Sequence, residues 1–122
     1  MTDDVGNELR QPPVRSIENV NGAVVVSLQG ELDLYNADEV REALAGAVGG
    51  QPERLVVDLS EVEFMDSTAL GVLVEAKRQL AKSNGFALAA PGLAARRALE
   101  TSGLDRHFAV HESLEDALES GV

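Results

Sequence analysis

The chain has no cysteine, and that absence removes disulfide staples, thiol catalysis and cysteine-ligated zinc together. Tryptophan is missing too, and aromatic residues are only 3% of the 122 positions, so the core must be built from Val, Leu and Ala. No run of about 18 or more uncharged apolar residues is present, so no membrane-spanning helix is expected. The opening Met1-Thr2-Asp3-Asp4 is acidic and lacks the basic start and apolar stretch of a secretory leader. With no cysteines, this suits a cytoplasmic protein. Basic residues are scarce: 10 Lys and Arg against 21 Asp and Glu leave a formal charge of −11. That balance argues against nucleic acid and anionic membranes as partners, because both require a cationic surface.

Catalytic constellations are wanting as well. No glycine-rich loop of the P-loop or dinucleotide type appears, since residues 46–50 follow a helical pattern rather than a strand. His107 and His111 stand four apart around an expected strand, on one face, with only Glu112 nearby to extend a metal set. Asp66-Ser67 has no histidine at an interpretable spacing, so a serine nucleophile would lack its base. The chain reads as a non-enzyme with no cofactor and no metal.

What is present is a clear alternation of strands and helices. Residues 1–13 mix polar residues with a Pro pair and read as a flexible N-terminal tail, leaving 14–122 as one domain. Val14 to Val20 and residues 22–29 read as a hairpin through Asn21-Gly22, and Ala23-Val24-Val25-Val26-Ser27-Leu28 is apolar enough to be covered on both faces. A helix follows with Asn36 as N-cap and Glu39 closing a capping box; its stripe is Ala37, Val40, Leu44, Ala47 and Val48, and Gly49-Gly50 ends it. Arg54 to Leu59 reads as a buried strand, followed by a short acidic connection and a helix over residues 67–83. Phe86 to Ala90 is a further strand, Leu93 to Ser102 a helix, Phe108 to Val110 a short strand, and residues 113–120 a last helix opened by Ser113 and Asp116. The expected class is α/β, a mixed four- to five-stranded sheet flanked by about four helices.

Function concentrates at the start of the third-strand-to-helix junction, Phe64-Met65-Asp66-Ser67-Thr68-Ala69-Leu70-Gly71. Asp66 or Ser67 is a good N-cap, and a helix N-terminus also suits a phosphate, through its unpaired N–H groups and the positive end of its dipole. Ala69, Leu70, Val72, Leu73, Val74 and Ala76 form an apolar band wider than a surface helix needs, so part of it is expected to be exposed to a partner, with Gly71 a bare patch for close approach. Upstream acids, among them Asp33, suggest either a soluble surface or a face for a basic partner.

The stretch from Asp58-Leu59-Ser60 through Asp66-Ser67-Thr68-Ala69-Leu70-Gly71-Val72-Leu73 closely resembles STAS domains of the anti-sigma factor antagonist type. Gly30-Glu31-Leu32-Asp33 and Gly103-Leu104 with Phe108-Ala109-Val110 extend the resemblance over residues 14–118. It implies a STAS fold and a partner-switching protein. Unphosphorylated, such a protein binds an anti-sigma factor that is also a serine kinase, and so frees a sigma factor; phosphorylation of the serine after the motif aspartate, here Ser67, blocks binding. A serine phosphatase reverses it. Asp33, Asp66, Thr68, Ala69, Leu70 and Gly71 then fall on the partner-binding surface, and the free chain is expected to be a monomer. Many members carry glycine where this chain has Ala69, which bears on partner choice. The alternative is a STAS subunit that braces a membrane lipid-transport ATPase.

Overall fold

Asn21 and Gly22 both take positive φ, 50° and 86°, and make the two-residue turn whose twist matches antiparallel strands. They join β1 (Val14–Val20) to β2 (Ala23–Leu32). In the computed structural model, which describes residues 10–119, the chain continues through α1 (Ala37–Gly49), β3 (Arg54–Met65), α2 (Ser67–Gln79) and β4 (Phe86–Ala89). It closes with α3 (Leu93–Ser102), β5 (Ala109–His111) and α4 (Leu114–Glu119). The five strands lie in chain order, β1 antiparallel to β2 and the rest parallel. Five strands with four helices among the described residues match the expected α/β class.

Alternate residues of the central strands point to opposite faces, and both faces are covered. Val26, Leu28, Leu55, Val57, Leu59 and Leu88 pack with residues of α1, α2 and α3, including Leu44, Leu73 and Leu99, in the main core. Val25, Val56 and Ala89 face the other way, onto Ala117 of α4. The Arg54 guanidinium donates to the carbonyls of Ala117 and Leu118, which the end of α4 leaves without intrahelical partners.

Several local expectations need correction. β3 does not stop at Leu59: its acidic connection stays in the sheet, with Gln29↔Glu61, Gly30↔Val62, Glu31↔Phe64 and Leu32↔Met65 paired after shifts of register. The acids are tolerated because Ser60, Glu61 and Glu63 face solvent while Val62 and Met65 are buried. The Asn36 capping box does not form; its amide is engaged elsewhere, as described below. α2 ends at Gln79 rather than Ser83, because Leu80 leaves helical geometry (ψ 127°) and is buried in the core. β5 covers Ala109–His111 rather than Phe108 to Val110, so His111 lies in the strand and His107 precedes it after a 3-10 turn. Ser113 caps α4 as expected, its hydroxyl accepting from the Asp116 N–H at 3.0 Å.

The expected tail divides in two. Residues 1–9 lie outside the described residues. Residues 10–13 are tied to β2: Gln29 donates its backbone N–H to Pro13 O at 2.9 Å and its side-chain amide to Pro12 O at 2.8 Å.

Candidate functional site

The long pairing of β2 with β3 decides where the site lies. It carries both strands to a common end, Leu32 beside Met65, so Asp33 and Asp66 emerge side by side. Asp66 donates its N–H to Leu32 O at 3.0 Å and remains extended (φ −97°, ψ −179°), as an N-cap should. One carboxylate oxygen accepts from the Ala69 N–H at 3.0 Å; the other accepts from the Leu34 N–H at 3.1 Å. Asp66 is therefore the cap, and it also ties the β2–α1 turn to α2.

That turn, residues 33–36, braces itself. Asp33 Oδ1 accepts from the Tyr35 N–H at 3.0 Å, and the Asp33 N–H donates to Asn36 Oδ1 at 2.9 Å. Asn36 spends its amide hydrogen on Glu31 O at 2.8 Å, so none of its side chain is left to cap α1. Such short-range bonds are the usual competitor of capping by Asn. The turn pushes Leu34 and Tyr35 into solvent. Asp33 Oδ2 forms an ion pair with Arg10 at 3.2 Å.

With Asp66 as cap, Ser67 becomes the first residue of α2 and is exposed, its hydroxyl engaged by no partner among the described residues. Thr68 is half-buried and Gly71 exposed. Ala69 and Leu70, at 3% and 6% exposure, are turned into the core. Most of the wide apolar band is consumed inside the protein, where Ala69, Leu70, Val72, Leu73 and Ala76 of α2 pack into the core and Val74 is partly buried against it. The sequence reading did not foresee the exposure of Leu34, Tyr35, Phe64 and Leu93, or the pairing of Arg10 with Asp33. Aromatic scarcity was the available signal, since Tyr35 and Phe64 flank the two acidic positions in a chain with one Tyr and three Phe.

Chemically, the arrangement offers an exposed hydroxyl at a helix N-terminus directly after the Asp66 cap, with Glu31, Asp33 and Glu63 at the adjoining ends of β2 and β3 and Arg10 paired with Asp33. Among the described residues no imidazole or amine is hydrogen-bonded to the hydroxyl. Among the described residues no cluster of three or more His, Asp or Glu side chains could hold a metal ion, and no helix is long and apolar enough to cross a membrane.

Comparison with known proteins adds to this geometry. A family model described as STAS domain matches residues 12–117. The anti-sigma-F factor antagonist RsfB of Mycobacterium tuberculosis is 37% identical over 103 residues, covering 84% of each chain. A crystal structure of an anti-sigma factor antagonist from Mycobacterium paratuberculosis superposes with TM-score 0.80 at 39% identity, over 84% of this chain and 88% of that one. The antagonist SpoIIAA was solved unphosphorylated (TM-score 0.70, 26% identity, 85% and 92% covered) and, as a Bacillus protein, phosphorylated (TM-score 0.65, 26% identity, 85% and 96% covered).

Proposed function

The chain belongs to the STAS domain family, and on that premise we propose that it acts as an anti-sigma factor antagonist switched by phosphorylation of Ser67. The observation that carries this reading is the placement of Ser67: exposed, unengaged and first in α2, directly after a cap that leaves its hydroxyl free. Its relatives carry the antagonist name, and one of them, SpoIIAA, exists in both phosphorylation states. Those names favour the switch over the transporter brace.

Unphosphorylated, the chain binds an anti-sigma factor that is a serine kinase, and so releases the sigma factor. The partner surface is made by Ser67, Thr68, Gly71 and the turn that holds Asp33, with Asp66 fixing their relation. Transfer of a phosphoryl group to Ser67 adds about −1.5 to −2 charges at a helix N-terminus, where the dipole favours it by roughly 0.3–1 kcal/mol. The fold therefore stays intact. Binding fails instead, because the new charge sits among Asp33, Glu63 and Asp66 in a contact that has to lose water. A loss of about 2.7 kcal/mol there weakens binding about a hundredfold. A serine phosphatase restores the binding form. The chain contributes recognition and a phosphate acceptor, with no catalysis of its own, and a charge of −11 keeps free copies apart as monomers.

The test is a capture experiment from a lysate of the native cells, with Ser67→Ala and Ser67→Asp baits and mass spectrometry of what each retains. The reading predicts a serine kinase of the anti-sigma type on the alanine bait and its loss with aspartate. Equal retention on both, or a transporter subunit on both, would overturn it.

A further inference from the structure

Among the described residues five large apolar side chains remain exposed, and four of them lie on the segments around the start of α2. Leu34 (66% exposed) and Tyr35 (86%) project from the turn after β2, Phe64 (49%) from the end of β3, and Leu93 (68%) from the start of α3. Because β2, β3 and β4 are adjacent and parallel, these positions line up along the C-terminal edge of the sheet in the order turn, α2, α3. That edge is where parallel α/β sheets generally present ligand-binding loops.

The far end of this row differs from the near end in chemistry. Phe64 and Leu93 line a hollow of about 410 Å³, with Met65 and Thr101 in its walls and Arg97 beside them. Arg97 is exposed and forms no ion pair among the described residues, whereas its neighbour Arg96 is matched with Glu112 at 3.2 Å. Arg97 therefore sets an unmatched positive charge beside the exposed Phe64 and Leu93. At the other end Glu31 and Glu63 are exposed carboxylates with no ion pair among the described residues, while Asp33 is half-buried and paired with the exposed Arg10. Ser67 lies between.

We propose that the hollow between Phe64 and Leu93 seats an apolar side chain of the anti-sigma serine kinase, with a carboxylate of the same segment meeting Arg97. The inference rests on the partner-switching reading above and gives it an anchor away from the phosphate. Charge complementarity sets the direction of docking: a basic group over Glu31 and Glu63, an acidic one over Arg97, and an apolar anchor in the hollow. Buried apolar anchors of this kind dominate most interfaces, while rim charges set register and specificity. Leu93 and Arg97 belong to α3 rather than to α2, so their contribution to binding is separable from the switch.

The experiment titrates the kinase captured by the alanine bait against five purified chains: wild type, Ser67→Asp, Leu93→Ser, Arg97→Glu and, as a control at the remaining exposed apolar position, Ile17→Ser. Circular dichroism checks that each is folded; all four substitutions are at exposed positions. The expected result is about tenfold or greater weakening for Leu93→Ser and for Arg97→Glu, with Ile17→Ser unchanged. If Ser67→Asp loses binding while the hollow variants bind like wild type, the switch stands and the hollow proposal is wrong. If the hollow variants weaken binding while Ser67→Asp does not, the anchor stands and the switch reading is wrong. Failure of the chain to retain any kinase removes the named occupant and overturns both. Sedimentation showing wild-type self-association that Leu93→Ser abolishes would assign the hollow to a second copy and overturn the proposal.

Discussion

Replacing Asp66 separates two jobs done by one carboxylate. Oδ1 caps α2 through the Ala69 N–H, and Oδ2 holds the Leu34 N–H of the neighbouring turn. Alanine removes both. Loss of an N-cap costs about 1 kcal/mol. Loss of the second bond adds about 1 kcal/mol, since its donor is exposed and regains water. For a domain of this size each kcal/mol lowers Tm by about 4 °C, so Asp66→Ala should melt about 8 °C lower. Asparagine caps helices well but has one acceptor oxygen in place of two. Asp66→Asn should therefore keep the cap, release Leu34 and melt about 4 °C lower. Thermal unfolding followed by circular dichroism gives the stabilities, and amide hydrogen exchange gives the partition. Exchange at Leu34 should quicken in both variants, and exchange at Ala69 only in the alanine variant. Unchanged protection at Leu34 in both proteins would refute the bridging role. A loosened turn should also weaken partner binding, because Asp33, Leu34 and Tyr35 would lose their fixed relation to Ser67.

Other perturbations test other parts of the account. Ser67→Asp should leave Tm unchanged or raise it by about 1–4 °C, since a negative charge at a helix N-terminus is worth roughly 0.3–1 kcal/mol; a drop of several degrees in a calorimetric scan would contradict this. Gly85→Ala should destabilise the fold by about 1–3 kcal/mol, because the added Cβ collides with the Glu53 carbonyl oxygen and both sides of that contact are backbone; urea unfolding measures it, and a neutral result would refute the close approach. Arg54→Met should cost about 1.5–3 kcal/mol and raise hydrogen exchange selectively in α4, whose terminal carbonyls lose their donor. Protection in α4 equal to wild type would show that the Arg54 bonds do not hold the helix in place.

Much of the fold was readable from hydrophobic patterning, and what escaped was decided by contacts between segments distant in the chain. The hairpin turn, the double-sided β2, the stripe of α1 and the Ser113 cap are local features with local causes. The extent of β3 is not: Glu61 and Glu63 look like a loop in isolation, and only the matching extension of β2 through Gln29 to Leu32 keeps them in the sheet. Leu80 likewise continues a helical pattern, but burial in the core takes it out of the helix. Asn36 and Glu39 fit a capping box by spacing, and the nearby Glu31 carbonyl and Asp33 N–H take the Asn36 amide first. At the proposed site, residue types singled out the α2 entrance but could not say which members face outward. Ala69 and Leu70 turned inward because α1 and the sheet together enclose the helix. Leu34, Tyr35 and Leu93 went unnoticed because single exposed apolar residues become a surface only when β2, β3 and β4 set them in a row.

The most direct test measures the affinity of the captured kinase for the chain before and after that kinase has phosphorylated it with ATP. The modified position is read in the tryptic peptide spanning residues 55–77, which contains Ser60, Ser67 and Thr68. The account predicts one phosphate, on Ser67, and affinity about a hundredfold weaker, equivalent to about 2.7 kcal/mol. Equal affinity of the two forms, or a phosphate placed on Ser60 or Thr68 instead, would contradict it.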